Sequence, residues 1–217
     1  AWPDGGFVVV GQVAAGTENL DWHIRQYQAD RQLAGADTYD HAGLHDIARS
    51  VAIDSTGNFV VGGCFNKGSD NGPSADYDWL IVKYDRSNQQ RLWTATFESE
   101  PGRSEQCIAV AVDGLDRVLA GGTARDESGN LHGCLLQLSA ADGMLLARRD
   151  WPGATFAGVQ GIAVRQHDIA LTGYAQLDSI DIRTVVQRVP PLQIHSWHVD
   201  SNGVTLQWLY PMQRVAI

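Results

Sequence analysis

Oxygen ligands crowd one short stretch of this 217-residue chain. From Asn66 to Asp76 the residues are mostly Gly, Ser, Asn and Asp, and Asp70, Asn71, Asp76 and the adjoining Asp78 carry hard oxygens of the kind calcium takes roughly six to eight at a time. Calcium is therefore the cofactor this stretch would bind. The order is not the alternating D-x-D-x-D-G of a calcium loop, and the competing reading is a solvated polar loop. Asp54 and Asp113 recur at matching places, the first followed by Gly57 and Asn58. That spacing suits a turn in which the aspartate accepts backbone N–H groups and Gly57 takes a positive φ. His41 and His45, flanked by Asp40 and Asp46, sit on a connector and could meet, but no third ligand has a defined spacing. His195 and His198 lie three apart on an expected strand, so they point to opposite faces. No nucleophile elbow occurs, and the glycines do not form a G-x-G-x-x-G between strand and helix. No catalytic residue and no cofactor-binding residue is assigned from the sequence.

The elements that must position these groups repeat. Phe7–Gly11, Phe59–Gly63, Val118–Gly122 and Ile169–Gly173 are four copies of one short strand closing on glycine, with the glycines 52, 59 and 51 residues apart. The second copy gives the template. Ser50–Ile53 alternates and ends at Asp54; Phe59–Gly63 is continuously apolar, as for a strand buried on both faces; Trp79–Tyr84 and Arg91–Phe97 follow across hairpin-length turns. The third copy runs through Ile108–Val112, Val118–Gly122, Cys134–Leu138 and Met144–Arg148. The fourth has Ile162–Val164 and Ile169–Gly173, with its last hairpin expected at Ile194–Val199 and Thr205–Tyr210. In the first copy the opening strand is missing, and Arg214–Ile217 reads like Ser50–Ile53. The expected fold is an all-β propeller, a single domain over 1–217. Its four four-stranded blades fall near 1–45 plus 213–217, 46–104, 105–157 and 158–212. The alternative is a window on a longer array.

Composition narrows the function classes. A net charge of -9 without a Lys/Arg cluster excludes the basic face that nucleic-acid binding needs. No apolar run has the length of a membrane span, and no signal peptide opens the chain; Ala1-Trp2-Pro3 is not an initiating sequence, so a processed or trimmed start is expected. Three cysteines, Cys64, Cys107 and Cys134, form no C-x-x-C pair; buried free thiols are expected, with one bridge the alternative. Of the seven tryptophans, Trp93 and Trp208 share a repeat position, as do Trp22 and Trp79, which indicates packing between blades. Trp2, Trp151 and Trp197 follow no pattern, and an exposed one would suit a sugar or a protein contact.

Ala52-Ile-Asp-Ser-Thr-Gly-Asn-Phe-Val-Val-Gly-Gly63, Asp78-Trp-Leu-Ile-Val-Lys-Tyr-Asp85 and Leu92-Trp93 resemble the bacterial β-propeller repeat of the SBBP type. That repeat runs as IAVD-x-x-GN-x-YV-x-G, then D-x-x-x-x-KYD, then LW. The third copy keeps Ala111-Val-Asp113 but has Gln137-Leu138 for Lys-Tyr, and the fourth has Arg165 in place of the aspartate. The resemblance implies a secreted, periplasmic or cell-surface protein of a bacterium and brings no common active site.

The expected function is a non-enzymatic scaffold or recognition module. It would bind a protein or glycan through the loops Asn66–Asp76, Thr123–Asn130 and Ala175–Leu192, because loops on rigid β scaffolds carry binding. The rival is a hydrolase- or lyase-type enzyme with its site at the channel mouth, which needs polar groups converging from several blades; the inner strands read as apolar and glycine-lined. A third expectation is an architectural part of a homodimer or larger assembly.

Overall fold

The computed structural model describes residues 1–16, 19–72, 75–151, 157–165 and 168–174, together with the backbone of strands at 187–189, 194–200 and 203–208. The described residues contain strands and no α-helix. The first sheet holds β1 (Phe7–Ala14), β2 (Leu20–Tyr27) and β3 (Leu33–Tyr39). The second is β4 (Asp46–Ile53), β5 (Phe59–Asn66), β6 (Tyr77–Tyr84) and β7 (Arg91–Phe97) in that order. The third repeats it with β8 (Gln106–Val112), β9 (Val118–Arg125), β10 (Leu131–Leu138) and β11 (Leu145–Trp151). The fourth has β12 (Gly158–Arg165), β13 (Asp168–Tyr174) and β14 (Gln187–Val189). Each is an antiparallel meander, and the first strand of one sheet packs across the face of the sheet before it: β4 on β1 and β2, β8 on β4, β5 and β6, β12 on β8, β9 and β10. This is the blade stacking of a β-propeller.

Two expectations are corrected. The innermost strand of a blade is the one that opens it, β4, β8 or β12, and the glycine-closing strand lies second. In the fourth blade, Gln187–Val189 pairs with β13, while the expected last hairpin, β15 (Ile194–Asp200) with β16 (Gly203–Trp208), forms a separate two-stranded sheet. The chain reaches β14 first, and an open sheet edge accepts any extended backbone with free N–H and C=O groups. Arg214–Ile217 lies outside the described residues, as does most of Ala175–Leu192.

Three cores fill the spaces between blades. Phe59 and Val61 of β5 face the first blade, beside Trp22, Ile24, Leu80, Val82 and Tyr84. Val60, between them, faces the third blade with Trp79, Ile81, Val110 and Leu136. The alternation of strand side chains thus puts apolar residues at consecutive positions when a sheet is covered on both faces, and every residue of β5 is buried. Trp22 and Trp79 occupy matching positions; Trp79 Nε1 donates to Thr123 O of the next blade at 2.9 Å, and Trp93 Nε1 to Ala140 O at 3.1 Å. The tryptophans therefore tie blades together, as their repeat positions indicated.

The repeated glycines have a specific cause. The inner strands are bulged at one place, between Ala48 and Ser50 and between Cys107 and Ala109. The bulge pushes a carbonyl onto the second strand: a Cβ on Gly63 would lie 1.9 Å from Ile47 O, and one on Gly122 would lie 1.9 Å from Gln106 O. Only glycine leaves room.

The cysteines are free and buried, and burial pushes the Cys64 thiol up to about 11. An aromatic disulfide reagent is expected to find no reactive thiol in the native protein at pH 8 and all three after denaturation. A stoichiometric reaction before unfolding would show that β5, β8 and β10 are not covered as described.

Candidate functional site

Strand direction sorts the connections by end. The connections at 15–19, 40–45, 67–76, 98–105 and 126–130 lie at one end, and the tight turns at 28–32, 54–58, 85–90, 113–117 and 139–144 lie at the other. The turn end repeats closely. Asp54 N donates to Asn58 O and Gly57 N to Asp54 O; Asp113 and Arg117 repeat the first bond, with Asp116 in the glycine's place. Asp54 Oδ1 accepts from Thr56 N, Asp113 Oδ1 from Leu115 N and Arg117 N, and Gly57 has φ 89°. The recurring aspartates are turn residues, as their spacing predicts. At the loop end 126–130 makes the same two bonds as 54–58, but 67–76 is twice as long and packs beside the connectors 40–45 and 98–105, and this is the candidate site.

The loop end is organised by side chains beneath it. Asn66, fully buried at the end of β5, donates to Asp70 O at 2.7 Å and Asn71 Oδ1 at 3.1 Å, and accepts from Gly68 N at 2.9 Å and Asp76 N at 3.1 Å. Asn71 Oδ1 also accepts from His45 N, while His45 Nδ1 accepts from Leu20 N, so the first blade is joined to the loop of the second. Ser104 Oγ donates to Ala75 O and accepts from Tyr77 N; Arg125 donates to Ser104 O and Gly129 O, which continues the network into the third blade. A loop held by one buried amide is preorganised, and preorganisation lowers the ordering cost of binding. Asn66→Ala is expected to cost about 2–4 kcal/mol, because it removes several buried bonds at once. Chemical denaturation measures the cost, and limited proteolysis should show new cleavage between residues 67 and 76.

Of the four residues read as calcium ligands, Asp70 Oδ1 accepts from Gly72 N at 2.8 Å and Asn71 is committed as above. Asp78 Oδ2 meets Lys67 Nζ at 3.0 Å, and the same ammonium bonds Glu98. Asp76 Oδ1 and Asp78 Oδ1 are buried without a hydrogen-bond partner. Of the four, Asp78 is thus paired with Lys67, and Asp70 and Asn71 are engaged by backbone N–H groups. Among the described residues no group of three or more His, Cys, Asp or Glu could hold a metal. EDTA followed by added calcium is expected to leave the thermal midpoint unchanged; a rise with calcium would show that Lys67 gives way to the ion.

Two fully buried acids support the connectors from below, at matching positions. Asp46 Oδ2 accepts from His41 N, and Glu105 accepts from Ser99 N, Ser99 Oγ and Glu100 N. Asp46 Oδ1 has no partner. Burial, with Asp40 and Asp21 nearby, pushes the Asp46 carboxyl up to about 7, and burial pushes Asp78 up to about 6. The folded state then holds protons that the unfolded chain releases near pH 4, so stability falls as pH rises from about 4 to about 7. Asp46→Asn is expected to flatten much of that slope in thermal melts. His41 and His45 share this connector but serve it separately, His41 packing edge-on against Phe65 at 4.8 Å.

No protein-family model matches the chain, and no curated protein matches it. Similar solved structures are the WD40 β-propeller domain of Doa1 (17% identity, 75% of this chain and 47% of that one, TM-score 0.44), a luciferin-regenerating enzyme (13%, 86% and 62%, 0.41) and BamB from Moraxella catarrhalis (14%, 92% and 62%, 0.44). The chain spans from 47% to 62% of the length of these structures. The blade architecture is read from strand order, bulge position and stacking.

A feature absent from the sequence reading lies at the turn end. A polar cleft of about 600 Å³ opens between the first two blades, lined by Gln26, Thr56, Asn58, Asp85, Arg86 and Gln89 among others. Gln26 donates to Arg86 O at 3.1 Å, and its Oε1 is buried without a partner. Arg86 stacks on the Trp2 ring 4.4 Å from its centroid and pairs with Asp4. These residues come from separate repeats, so no spacing in the sequence marks them. The inner strands also carry more polar groups than expected: Arg49, the bulged residue of β4, is exposed and bonds Gln106 Oε1 at 2.8 Å.

Proposed function

We propose that the chain is a recognition scaffold, a propeller whose loop end binds a partner protein. The observation that carries this reading is the asymmetry between the ends. At the turn end 54–58 and 113–117 repeat bond for bond, whereas at the loop end the ten residues of 67–76 stand against the five of 126–130, and that longer loop is held by Asn66, His45, Ser104 and Arg125. Variable loops on a fixed frame suit recognition. The resemblance to the SBBP repeat supports a place in a secreted or envelope protein of a bacterium. A glycan partner is an outcome of the test.

A photo-crosslinking amino acid placed at Asp70 or Glu127, on exposed loops, is compared in host cells with one at Leu115 or Met144, exposed on turns. Adducts from the loop end are expected to exceed those from the turn end by about ten-fold. Protein adducts favour the reading, and their loss after glycosidase treatment would identify a glycan. Equal labelling of both ends would overturn it.

A further inference from the structure

The polar cleft between the first two blades lies where a tryptophan sits between the second and third. There Trp93, opposite Lys83 in register, donates to Ala140 O at 3.1 Å and packs on Gly143, where a Cβ would lie 2.7 Å from the indole. In the first blade the counterpart of Lys83 is Gln26, and the residue opposite it is Gly35. The turn 85–90 closes with the same bonds as 139–144, Asp85 N to Gln90 O and Gln89 N to Asp85 O, which sets Gln89 at the place of Gly143. Glycine thus stands for the tryptophan, and glutamine for the glycine. Gln89 lies across Gly35, its Oε1 1.4 Å from where a Cβ would be. A glutamine does not fill the space of an indole, and a cleft of about 600 Å³ remains. Gln89 holds its place with φ 57°, a left-handed backbone that suits glycine and strains glutamine.

The groups around the cleft are matched in charge but not in hydrogen bonds. Gln26 Nε2 donates to Arg86 O at 3.1 Å, as Lys83 Nζ does to Ala140 O at 3.0 Å. Lys83 also has Asp54 at 2.8 Å, whereas the matching turn of the first blade has Trp2 in the aspartate's place. Gln26 is 7% exposed and its Oε1 has no partner. A carbonyl only accepts, so the bonded atom is the amide nitrogen and the unpartnered one is an acceptor. Asn58 Oδ1 accepts from Arg86 N at 3.1 Å, which leaves its Nδ2 to donate, and Gln89 Nε2 reaches only Ala34 O, at 3.5 Å. Arg86 pairs with Asp4 and stacks on Trp2, while Asp85 Oδ1 accepts from Ser87 N and Oγ. Three amides with donors and acceptors to spare suit vicinal hydroxyls, which donate and accept at once. We propose that this cleft binds a neutral sugar, a pyranose whose hydroxyls donate to Gln26 Oε1 and accept from Asn58 and Gln89. The cleft is within the range of about 300–1,000 Å³ that holds small ligands. It lies at the end opposite the loop 67–76, so it is independent of the proposed function.

Amide resonances of the isotope-labelled protein test the site. Methyl glucopyranoside, methyl galactopyranoside and methyl mannopyranoside are each added to about 50 mM, a range that reveals millimolar affinity. At least one is expected to shift the resonances of 26–28, 56–58 and 85–89 saturably. Gln26→Met keeps the length of the side chain and removes the acceptor, and should weaken binding at least about ten-fold. Gly35→Trp with Gln89→Gly rebuilds the packing found between the second and third blades. It should close the cleft and abolish the shifts while the thermal midpoint stays at or above that of the natural protein. If its midpoint falls instead, Gln26→Met decides. Shifts that survive both variants would place the sugar elsewhere and overturn the proposal. So would the absence of shifts with all three pyranosides, or shifts produced by indole alone.

Discussion

Gly63→Ala is expected to cost about 3–5 kcal/mol, and Gly122→Ala the same, which are large effects for one methyl group. The added Cβ would lie 1.9 Å from a backbone carbonyl in each case, and a carbonyl fixed by a bulge cannot rotate away as a side chain can. Either the bulge opens, leaving buried backbone groups unpaired, or the two strands separate. Gly72→Ala is the control: its Cβ meets nothing nearer than Asp70 Oδ1 at 3.5 Å, so a change within about 0.5 kcal/mol is expected. Urea denaturation of the three variants measures the difference. Equal, small effects would mean that the repeated glycines answer to something other than the bulge.

The second large effect concerns the buried ion pair of the second blade. Lys83 Nζ lies 2.8 Å from Asp54 Oδ2 and donates to Ala140 O of the third blade at 3.0 Å, with side-chain exposures of 7% and 2%. Burial alone would raise the Asp54 carboxyl, but hydrogen bonds from Lys83 and Thr56 hold it below its usual range. Lys83→Met strands a buried carboxylate and is expected to cost about 3–5 kcal/mol at pH 7. The pH dependence should change sign. In the natural protein the contribution of Asp54 is present above about pH 4 and is lost as pH falls through its depressed folded value. In Lys83→Met burial dominates, the carboxyl titrates above its unfolded value, and stability falls as pH rises.

The third blade shows how the pair can be replaced. Gln137 stands where Lys83 does, and Asp113 is neutralised instead by Arg117 at 2.7 Å, from the position that Asn58 fills in the second blade. Lys83→Gln combined with Asn58→Arg should therefore recover much of the stability that Lys83→Gln alone loses. A double-mutant cycle measures the recovery, and additivity would contradict it.

These cases show which parts of the structure were legible in the sequence. The Phe59–Gly63 type of strand was readable because burial on both faces removes alternation and leaves a continuous apolar run. Asp54 and Gly57 were readable because turn chemistry is local. The order of strands within a blade was readable as well, because hairpin-length turns join them in chain order; which strand lies innermost was not, since the bulge on the opening strand leaves its trace only in a glycine on the neighbouring strand. The fourth blade misled because the hairpin at Ile194–Trp208 keeps the repeat pattern while a nearer, patternless segment takes the β13 edge. At the loop end, the acidic residues were visible but not the role of Lys67, whose partners Asp78 and Glu98 lie on separate elements. Gln26 and Gln89 gave no signal, because their cleft exists only once two blades are stacked.

Amide hydrogen exchange followed by mass spectrometry tests the central claim, that sheets stack face to face so that β5 and β6, and β9 and β10, are covered on both faces. Peptides from β5, β6, β9 and β10 should exchange slowest, on the timescale of global unfolding, while β3, β7 and β11 exchange through local fraying. Equal protection of the outer strands, or fast exchange in β5 and β9, would contradict the stacked-blade architecture on which every other inference depends.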